Sequence, residues 1–248
     1  MGLKKYTFTY DSVTSEALGL VVYGAEGIDE PAVKDITDVV VPGRNGVLHV
    51  DNNRWNERTV SYLCYIPGSV SSDYISIIQD VREKLGSRNG YKELSDTIYT
   101  GQYTLATFVD AVEAEPMAFR TMGLIKVTFR CRPERFLDTG KTPVVVADGG
   151  YIENPTLLPA KPLIKIEGTA AGTVTVTNQA LGGFFINIST IDGYVEIDCD
   201  TCECRKGLLN CNGDVTVTRF PQMLGKTYFT SWTGGITSVT VTPRWWTL

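Results

Sequence analysis

The residues in this sequence that are most typical of a reactive or metal-binding site are four closely spaced cysteines. Cys199, Cys202, Cys204 and Cys211 lie within thirteen residues. Four thiolates can hold zinc, but the spacing is not the usual pair of C-x2-C knuckles. A hairpin turning at Lys206-Gly207 would put Cys202 opposite Cys211, with Cys204 on the same side and Cys199 on the other. Free thiols packed in or beside a sheet are therefore favoured over zinc, and a Cys202–Cys211 disulfide formed outside a cell is the third alternative.

A catalytic set is not evident elsewhere. His49 is the only histidine, so any histidine-based triad must use it, and it follows a hairpin rather than a strand-to-helix turn. The sequence has no Gly-x-Ser-x-Gly elbow, phosphate loop or metalloprotease pair. Glu113 and Glu115 share a strand face but precede Pro116, so nothing singles out an acid and a base. We expect no catalytic residue, no cofactor and a bystander role for His49.

The composition indicates a globular protein of one large or two modest domains. The chain has 248 residues, of which 43% are hydrophobic and 21% charged, with a net charge of −5. That charge disfavours a general nucleic-acid-binding surface. The absence of an apolar run of 18 residues excludes a membrane-spanning helix, and no signal peptide is visible. We therefore expect synthesis in a cytoplasm, with the cysteines as thiols.

Periodicity predicts a mainly β first half with one helix at about residues 72–85. Tyr74, Ile78, Val81 and Leu85 share one helical face. Ser71 or Ser72 would cap its start, Asp73 would lie in its first turn, and Gly86 would be the C′ residue. Strands are predicted near residues 3–10, 17–23, 59–66, 103–114 and 122–133.

The strand at 122–133 has the clearest alternation. Val127, Phe129 and Cys131 point to one side, and Lys126, Arg130 and Arg132 to the other. We interpret the basic side as a solvated outer face.

Prolines and glycines concentrate between Pro133 and Pro162, which predicts a boundary between an N-terminal domain, 1–139, and a C-terminal domain, 140–248. The second domain is predicted to be an antiparallel β-sandwich of short strands, with turns every 8–12 residues. The strands are 163–167, 172–177, 184–188, 194–199, 215–218, 227–232 and 238–242. Of Trp232, Trp245 and Trp246, we expect at least one to be buried rather than exposed for sugar stacking.

The segment from Val39 to Leu48 predicts a projecting hairpin. An apolar run stops at Pro42-Gly43, a polar tip follows, and Asn45-Gly46 turns the chain back. The tip has no catalytic set beside it, so the segment raises the question of what such a projection would contact.

The order of several motifs resembles the distal tail protein (Dit) family of long, flexible-tailed bacteriophages. No single motif is specific, but their order extends over nearly the whole chain. The matching segments are Val41-Pro42-Gly43-Arg44-Asn45-Gly46, the helix at 72–85, Phe129-Arg130-Cys131-Arg132-Pro133-Glu134-Arg135-Phe136, Asn154-Pro155-Thr156, Ala160-Lys161-Pro162-Leu163-Ile164-Lys165-Ile166 and Val241-Thr242-Pro243-Arg244-Trp245-Trp246. The cysteine cluster departs from the family pattern.

The resemblance implies a structural virion protein without enzymatic activity, at the distal end of the phage tail and assembled in the host cytoplasm. The first domain would form a homohexameric ring with hairpins reaching onto neighbouring subunits, and the second would be a galectin-like β-sandwich. The predicted subunit-interface residues at the hairpin tip are Pro42, Gly43, Arg44, Asn45 and Gly46. The implied partners are the tail tube protein, the tail-associated lysin or tail-tip hub protein, and receptor-binding proteins. DNA would pass through the ring's channel without specific binding. The competing hypothesis is a monomeric carbohydrate-binding module.

Overall fold

The computed structural model describes residues 6–67, 74–117 and 122–248. Two compact units divide the chain: the first extends to Arg135 and includes Leu248, and the second is Phe136–Thr247. The predicted mainly β fold is confirmed, since strands dominate both units and the described residues contain one α-helix. No helix in this part of the chain is long and apolar enough to cross a membrane.

The first unit is built on an antiparallel sheet with the strand order β2-β1-β7-β8-β9-β6-β3. Its elements are β1 Phe8–Tyr10, β2 Val13–Thr14, β3 Val21–Glu26, β4 Lys34–Val40, β5 Val47–Trp55, β6 Arg58–Ile66, α1 Tyr74–Gly86, β7 Lys92–Asp96, β8 Gln102–Met117 and β9 Met122–Leu137. Within the described residues, strands β4 and β5 pair with no other strand and form a separate two-stranded sheet.

Aromatic rings fill the core of the first unit. Phe8 stacks on Tyr62 with ring centroids 4.7 Å apart, and Phe129 meets Tyr10 at 4.9 Å and Phe108 at 5.9 Å. Such pairs add roughly 0.5–1.5 kcal/mol each beyond the area they bury. Phe129 was predicted to face inward on the alternating strand β9, and the structure confirms this because its side chain is fully buried.

The helix lies almost where it was predicted. Val81 and Leu85 are buried as expected, and Ile77 joins them. The predicted caps Ser71 and Ser72, with Asp73, lie outside the described residues. The prediction for Gly86 as a left-handed C′ residue is wrong: the helix includes Gly86 without a positive φ, and the amide of Ser87 still donates to the Glu83 carbonyl at 3.1 Å.

The second unit is an antiparallel sheet with the order β10-β18-β12-β14-β15-β16, extended by β11 on β18, by β13 on β12 and by β17 on β13. The proline-rich segment contributes β10 and β11 to it. The elements are a 3-10 turn Asp138–Lys141, β10 Val144–Val146, β11 Tyr151–Glu153, β12 Leu163–Asn178, β13 Gly182–Ile188, β14 Gly193–Asp198, β15 Glu203–Lys206, β16 Leu209–Asn210, β17 Val215–Val217, β18 Lys226–Thr242 and β19 Trp246–Thr247.

Two long strands replace four predicted short ones. Segments 163–167 and 172–177 are one strand, β12, and segments 227–232 and 238–242 are one strand, β18. The register between them shifts at Gly168 and Gly172. Glycine allows the close backbone approach that this irregularity requires, because a Cβ on Gly172 would lie 2.3 Å from the Thr233 carbonyl oxygen. Side chains from both halves of each strand belong to one buried cluster, so the sheet folds over its own core. The galectin-like topology stays a prediction.

Asp198 and Arg244 form a buried, two-pronged ion pair inside the second unit, with N–O distances of 2.7 and 2.9 Å. The amides of Asp200 and Thr201 also donate to Asp198. Burial raises the pKa of the Asp198 carboxyl, but Arg244 and these amides outweigh it and hold that pKa below its usual value of 3.8.

We predict that Asp198→Asn lowers the free energy of unfolding by about 3 kcal/mol at neutral pH, because it leaves Arg244 without its charge partner. A carboxyl with a depressed pKa stabilises the fold above its unfolded pKa, and this stabilisation is lost as the pH falls through the folded pKa. The difference between wild type and variant should therefore shrink below about pH 4. Denaturant titrations at several pH values measure it, and a pH-independent difference would contradict the assignment.

Candidate functional site: a projecting two-stranded arm

Strands β4 and β5 form an arm, residues 34–55, that stands apart from the main sheet. The amide of Asn56 donates to the carbonyl of Val33 at 2.8 Å and closes its base. Almost every arm residue is exposed on both faces. The predicted hairpin is thus present, but its strands are longer than the sequence suggested, because residues 51–55 continue β5. Asn53, with φ of 56°, lies where the register between the two strands shifts.

The loop at the tip of the arm has the backbone conformation that its residue types favour. The Arg44 amide donates to the Val41 carbonyl at 3.2 Å, which closes a turn with Pro42 and Gly43 at its centre. Gly43 has φ of 81°, so this is the arrangement that favours proline followed by glycine in a type II turn. The predicted interface residues, from Pro42 to Gly46, are all exposed at this tip.

The two faces of the arm differ. Val39 pairs with Leu48 across the strands, and Val50 follows on the same face. Their exposures are 42%, 43% and 41%, so we define these three residues as the apolar face. The opposite face also carries exposed apolar residues, but the ion pairs of Lys34 with Asp51, at 2.8 Å, and of His49 with Asp38 lie among them. On the side of the apolar face, the ion pair of Arg54 with Asp35 lies at the base of the arm.

An arm of this kind is a poor structure on its own. A single two-stranded hairpin is at best marginally stable in water unless another element packs on it. Burying a valine or leucine side chain fully contributes about 1.5–3 kcal/mol. Contact of the apolar face with another surface would therefore stabilise both the arm and the complex.

His49 lies within the arm rather than beside it. Its Nδ1 contacts the Asp38 carboxylate on the facing strand, and both side chains are more than half exposed. The contact between the His49 imidazole and the Asp38 carboxylate therefore links the two strands of the arm.

The basic side of β9 is matched by carboxylates. Lys126 pairs with Glu26 at 2.6 Å, and Arg130 lies 3.8 Å from Glu57. Arg130 is exposed and Lys126 is half-buried. The third predicted cation, Arg132, is also half-buried and pairs with Glu134 at 3.0 Å, so the interpretation of a solvated outer face fits Arg130 but not Arg132.

The cysteine hairpin has a different register from the predicted one. The turn is at Gly207-Leu208, because Lys206 pairs with Leu209. Cys211 then lies across from Cys204, and its amide donates to the Cys204 carbonyl at 2.8 Å. The predicted pairing of Cys202 with Cys211 is therefore wrong. Cys202 lies outside β15, with φ of 59°.

The four thiols of the cluster differ in their exposure to solvent. Cys199 and Cys204 are buried, Cys211 is half-buried and Cys202 is exposed. Burial raises the pKa of Cys204 to about 11 and the pKa of Cys199 further. Among the described residues, no group of three or more His, Cys, Asp or Glu side chains could hold a metal ion.

We predict that Cys202 and Cys211 react with a thiol reagent in the native protein at pH 8, while Cys199 and Cys204 react at least tenfold more slowly, roughly as thiolate content and exposure dictate. Mass spectrometry of the labelled peptides over time measures the rates.

Protein purified without chelator should contain less than about a tenth of an equivalent of zinc, since a bound structural zinc would be near stoichiometric. Near-stoichiometric zinc with all four thiols protected would contradict this account.

The tryptophans are used for packing, as expected. Trp245 is buried, and the Trp246 indole N–H donates to the Pro159 carbonyl at 3.0 Å. Neither indole is presented as a sugar-stacking surface.

No protein-family model matches the sequence, and no curated protein matches it. Solved structures do match the fold over nearly the whole chain. The crystal structure of phage SPP1 Dit, described as a paradigm of the hub adsorption apparatus in phages infecting Gram-positive bacteria, has a TM-score of 0.68 at 11% identity, covering 96% of this chain and 98% of the SPP1 chain. This chain has the distal tail protein fold.

Two structures of the phage p2 baseplate in its activated conformation, with calcium and with strontium, extend the likeness. Their TM-scores are 0.55 and 0.52 at 9% identity, with 97% and 96% of this chain and 98% of theirs covered. The resemblance to distal tail proteins is thereby confirmed for the fold. An identity this low explains why only the order of short motifs carried the resemblance in the sequence.

The apolar face is the part of the site that the sequence prediction missed. Leu48 and Val50 alternate with His49 and Asp51, which is a strand signal. The predicted hairpin segment ended at Leu48, so the alternation that continues to Val50 and Asp51 was not used.

Proposed function

We propose that this chain is a structural, non-enzymatic component of a phage tail tip, located at the distal end of the tail in the virion. Six copies form a ring that joins the tail tube protein to a tail-associated lysin or tail-tip hub protein, with receptor-binding proteins as further partners. Copies assemble in the host cytoplasm, and DNA passes through the ring's channel without specific binding. A net charge of −5 suits passage, because phosphate binding relies on basic side chains.

The observation that carries this proposal is the exposed arm on a distal tail protein fold. Closed rings need a heterologous interface, in which each subunit presents one surface and accepts a different one. The arm supplies the presented surface: an apolar face of Val39, Leu48 and Val50, a tip with Arg44 and Asn45, and unpaired strand edges. Burial of this face on the next subunit would supply the packing that the hairpin lacks.

The proposal is tested by the solution mass of the purified full chain, measured by light scattering. The expected particle is about six times 27.3 kDa, alone or after addition of the tail tube protein. A strict monomer under both conditions would contradict the ring. If such a monomer bound a defined glycan, the carbohydrate-binding hypothesis would replace it.

A further inference from the structure

Two arginines of the first unit converge on one backbone carbonyl. Arg58 donates from Nη1 to the Ile28 oxygen at 3.2 Å, and Arg135 donates from Nη2 to the same oxygen at 2.7 Å. Arg135 is only 9% exposed, and its guanidinium lies 3.8 Å from the centroid of the Tyr99 ring. Two like charges are thus held close together in a largely desolvated place.

The charges around these guanidinium groups do not balance. Burial, and after it the neighbouring Arg135, lower the pKa of Arg58 from its ordinary value. Within the described residues, no carboxylate lies within 4.0 Å of a nitrogen of either arginine. Asp96 is the acidic residue of the surrounding wall, so two positive charges face one negative charge.

Asp96 is committed to other donors. One carboxylate oxygen accepts from the Tyr62 hydroxyl at 2.9 Å, and the other accepts from the amides of Ile98 and Tyr99 at 2.8 Å each. Its charge lowers the local potential, and it raises the pKa of Arg58 as a neighbouring charge, but in the described part of the chain it forms no ion pair with either arginine. One positive charge therefore remains without a direct counter-charge.

The arginines line a small cavity with hydrogen-bonding capacity to spare. The buried Nε atoms of Arg58 and Arg135, and the buried Oε1 of Gln102, have no partner in the described part of the chain. All three side chains line a cavity of about 20 Å³, enough for roughly one water-sized species. A buried donor without a partner destabilises the fold, and the destabilisation is larger when the group is charged.

We propose that this cavity binds a small monovalent anion of about the size of chloride. Both Nε–H groups would donate to it, and the Gln102 amide can turn to present its NH2 group. The anion would neutralise the remaining charge and reduce the repulsion between the two guanidinium groups. Its role is to hold β6, β9 and the Ile28 segment together, and it does not depend on the ring proposal.

The test uses the full-length wild-type chain with sodium chloride replaced stepwise by sodium methanesulfonate at constant ionic strength. The melting temperature should rise by several degrees with the logarithm of the chloride concentration, because a ligand that binds only the folded state stabilises it by mass action. Crystals soaked in bromide should show an anomalous peak between the two Nε atoms. Equal melting temperatures in both salts, or water alone in the cavity, would overturn the proposal. A bromide peak without any effect in solution would indicate an adventitious ion only and would also overturn it.

Matched variants locate the effect. Arg135→Met should abolish the chloride dependence, whereas Arg130→Met, which removes the same charge from an exposed position on the same strand, should retain it. If Arg135→Met does not fold, Arg58→Lys replaces it, since lysine keeps the charge but lacks the Nε–H group. A folded variant at either arginine with the full wild-type chloride dependence would contradict the site.

Discussion

The double substitution Val39→Lys with Leu48→Glu should convert the assembled protein into monomers while its fold persists. The two residues face each other across the arm, so the new side chains form an opposite-charge pair that preserves strand pairing. The apolar face is lost, and burying the new charges against a neighbouring subunit would be costly. Val39 and Leu48 are 42% and 43% exposed, so burying the remainder is worth about 0.6–1.3 kcal/mol per residue, and the assembly affinity should fall by at least about tenfold.

Sedimentation velocity across a concentration series measures the assembly affinity. The melting temperature should change little, because both side chains are already solvent-exposed and surface substitutions usually stay within about 0.5 kcal/mol. The matched control is Val145→Lys, an exposed valine on β10 of the second unit, which should assemble like wild type. Unchanged assembly of the arm variant would remove the apolar face from the interface.

Gly234→Ala should unfold or severely destabilise the second unit. Gly234 has φ of 73°, and a Cβ there would lie 2.1 Å from the carbonyl oxygen of Ala171 on the facing strand. The long strands β12 and β18 would have to separate at their bend, so we expect a loss of at least about 4 kcal/mol in the free energy of unfolding, in the range of the most severe single substitutions.

Gly182→Ala is the control for backbone strain alone. Gly182 has φ of 87°, but nothing lies within 4 Å of the position of its Cβ. This variant should lose only about 1–2 kcal/mol, the cost of an L-residue in the left-handed region. Thermal unfolding followed by circular dichroism compares the two, and equal losses would show that the contact at the bend is not essential.

Local periodicity was sufficient to predict the elements with a one-sided burial pattern. Phe129 and Cys131 face inward on β9, and Val81 and Leu85 face inward on α1, because each follows the period of its element. The long strands were divided in the prediction because Gly168 and Gly172 resemble turn residues in a sequence. Only the facing backbone, which approaches closely there, shows that they mark a bend.

Two features could not be predicted from the sequence: the pairing register of some strands, and the contact of distant side chains with one backbone atom. The pairing of Cys204 with Cys211 depends on a turn that begins one residue later than local signals indicated. Arg58 and Arg135 are far apart in the chain, and no motif brings them to the same carbonyl. The tip of the arm was predictable because proline and glycine specify their own conformation, whereas its apolar face depended on how far the strands extend.

The central claim is that subunits assemble through the arm, and a cryo-electron microscopy map of the assembled chain tests it most directly. The account predicts a six-fold ring in which each arm lies on the neighbouring subunit, with Val39, Leu48 and Val50 covered. A ring whose arms project into solvent, or a chain that remains monomeric even with the tail tube protein present, would contradict it.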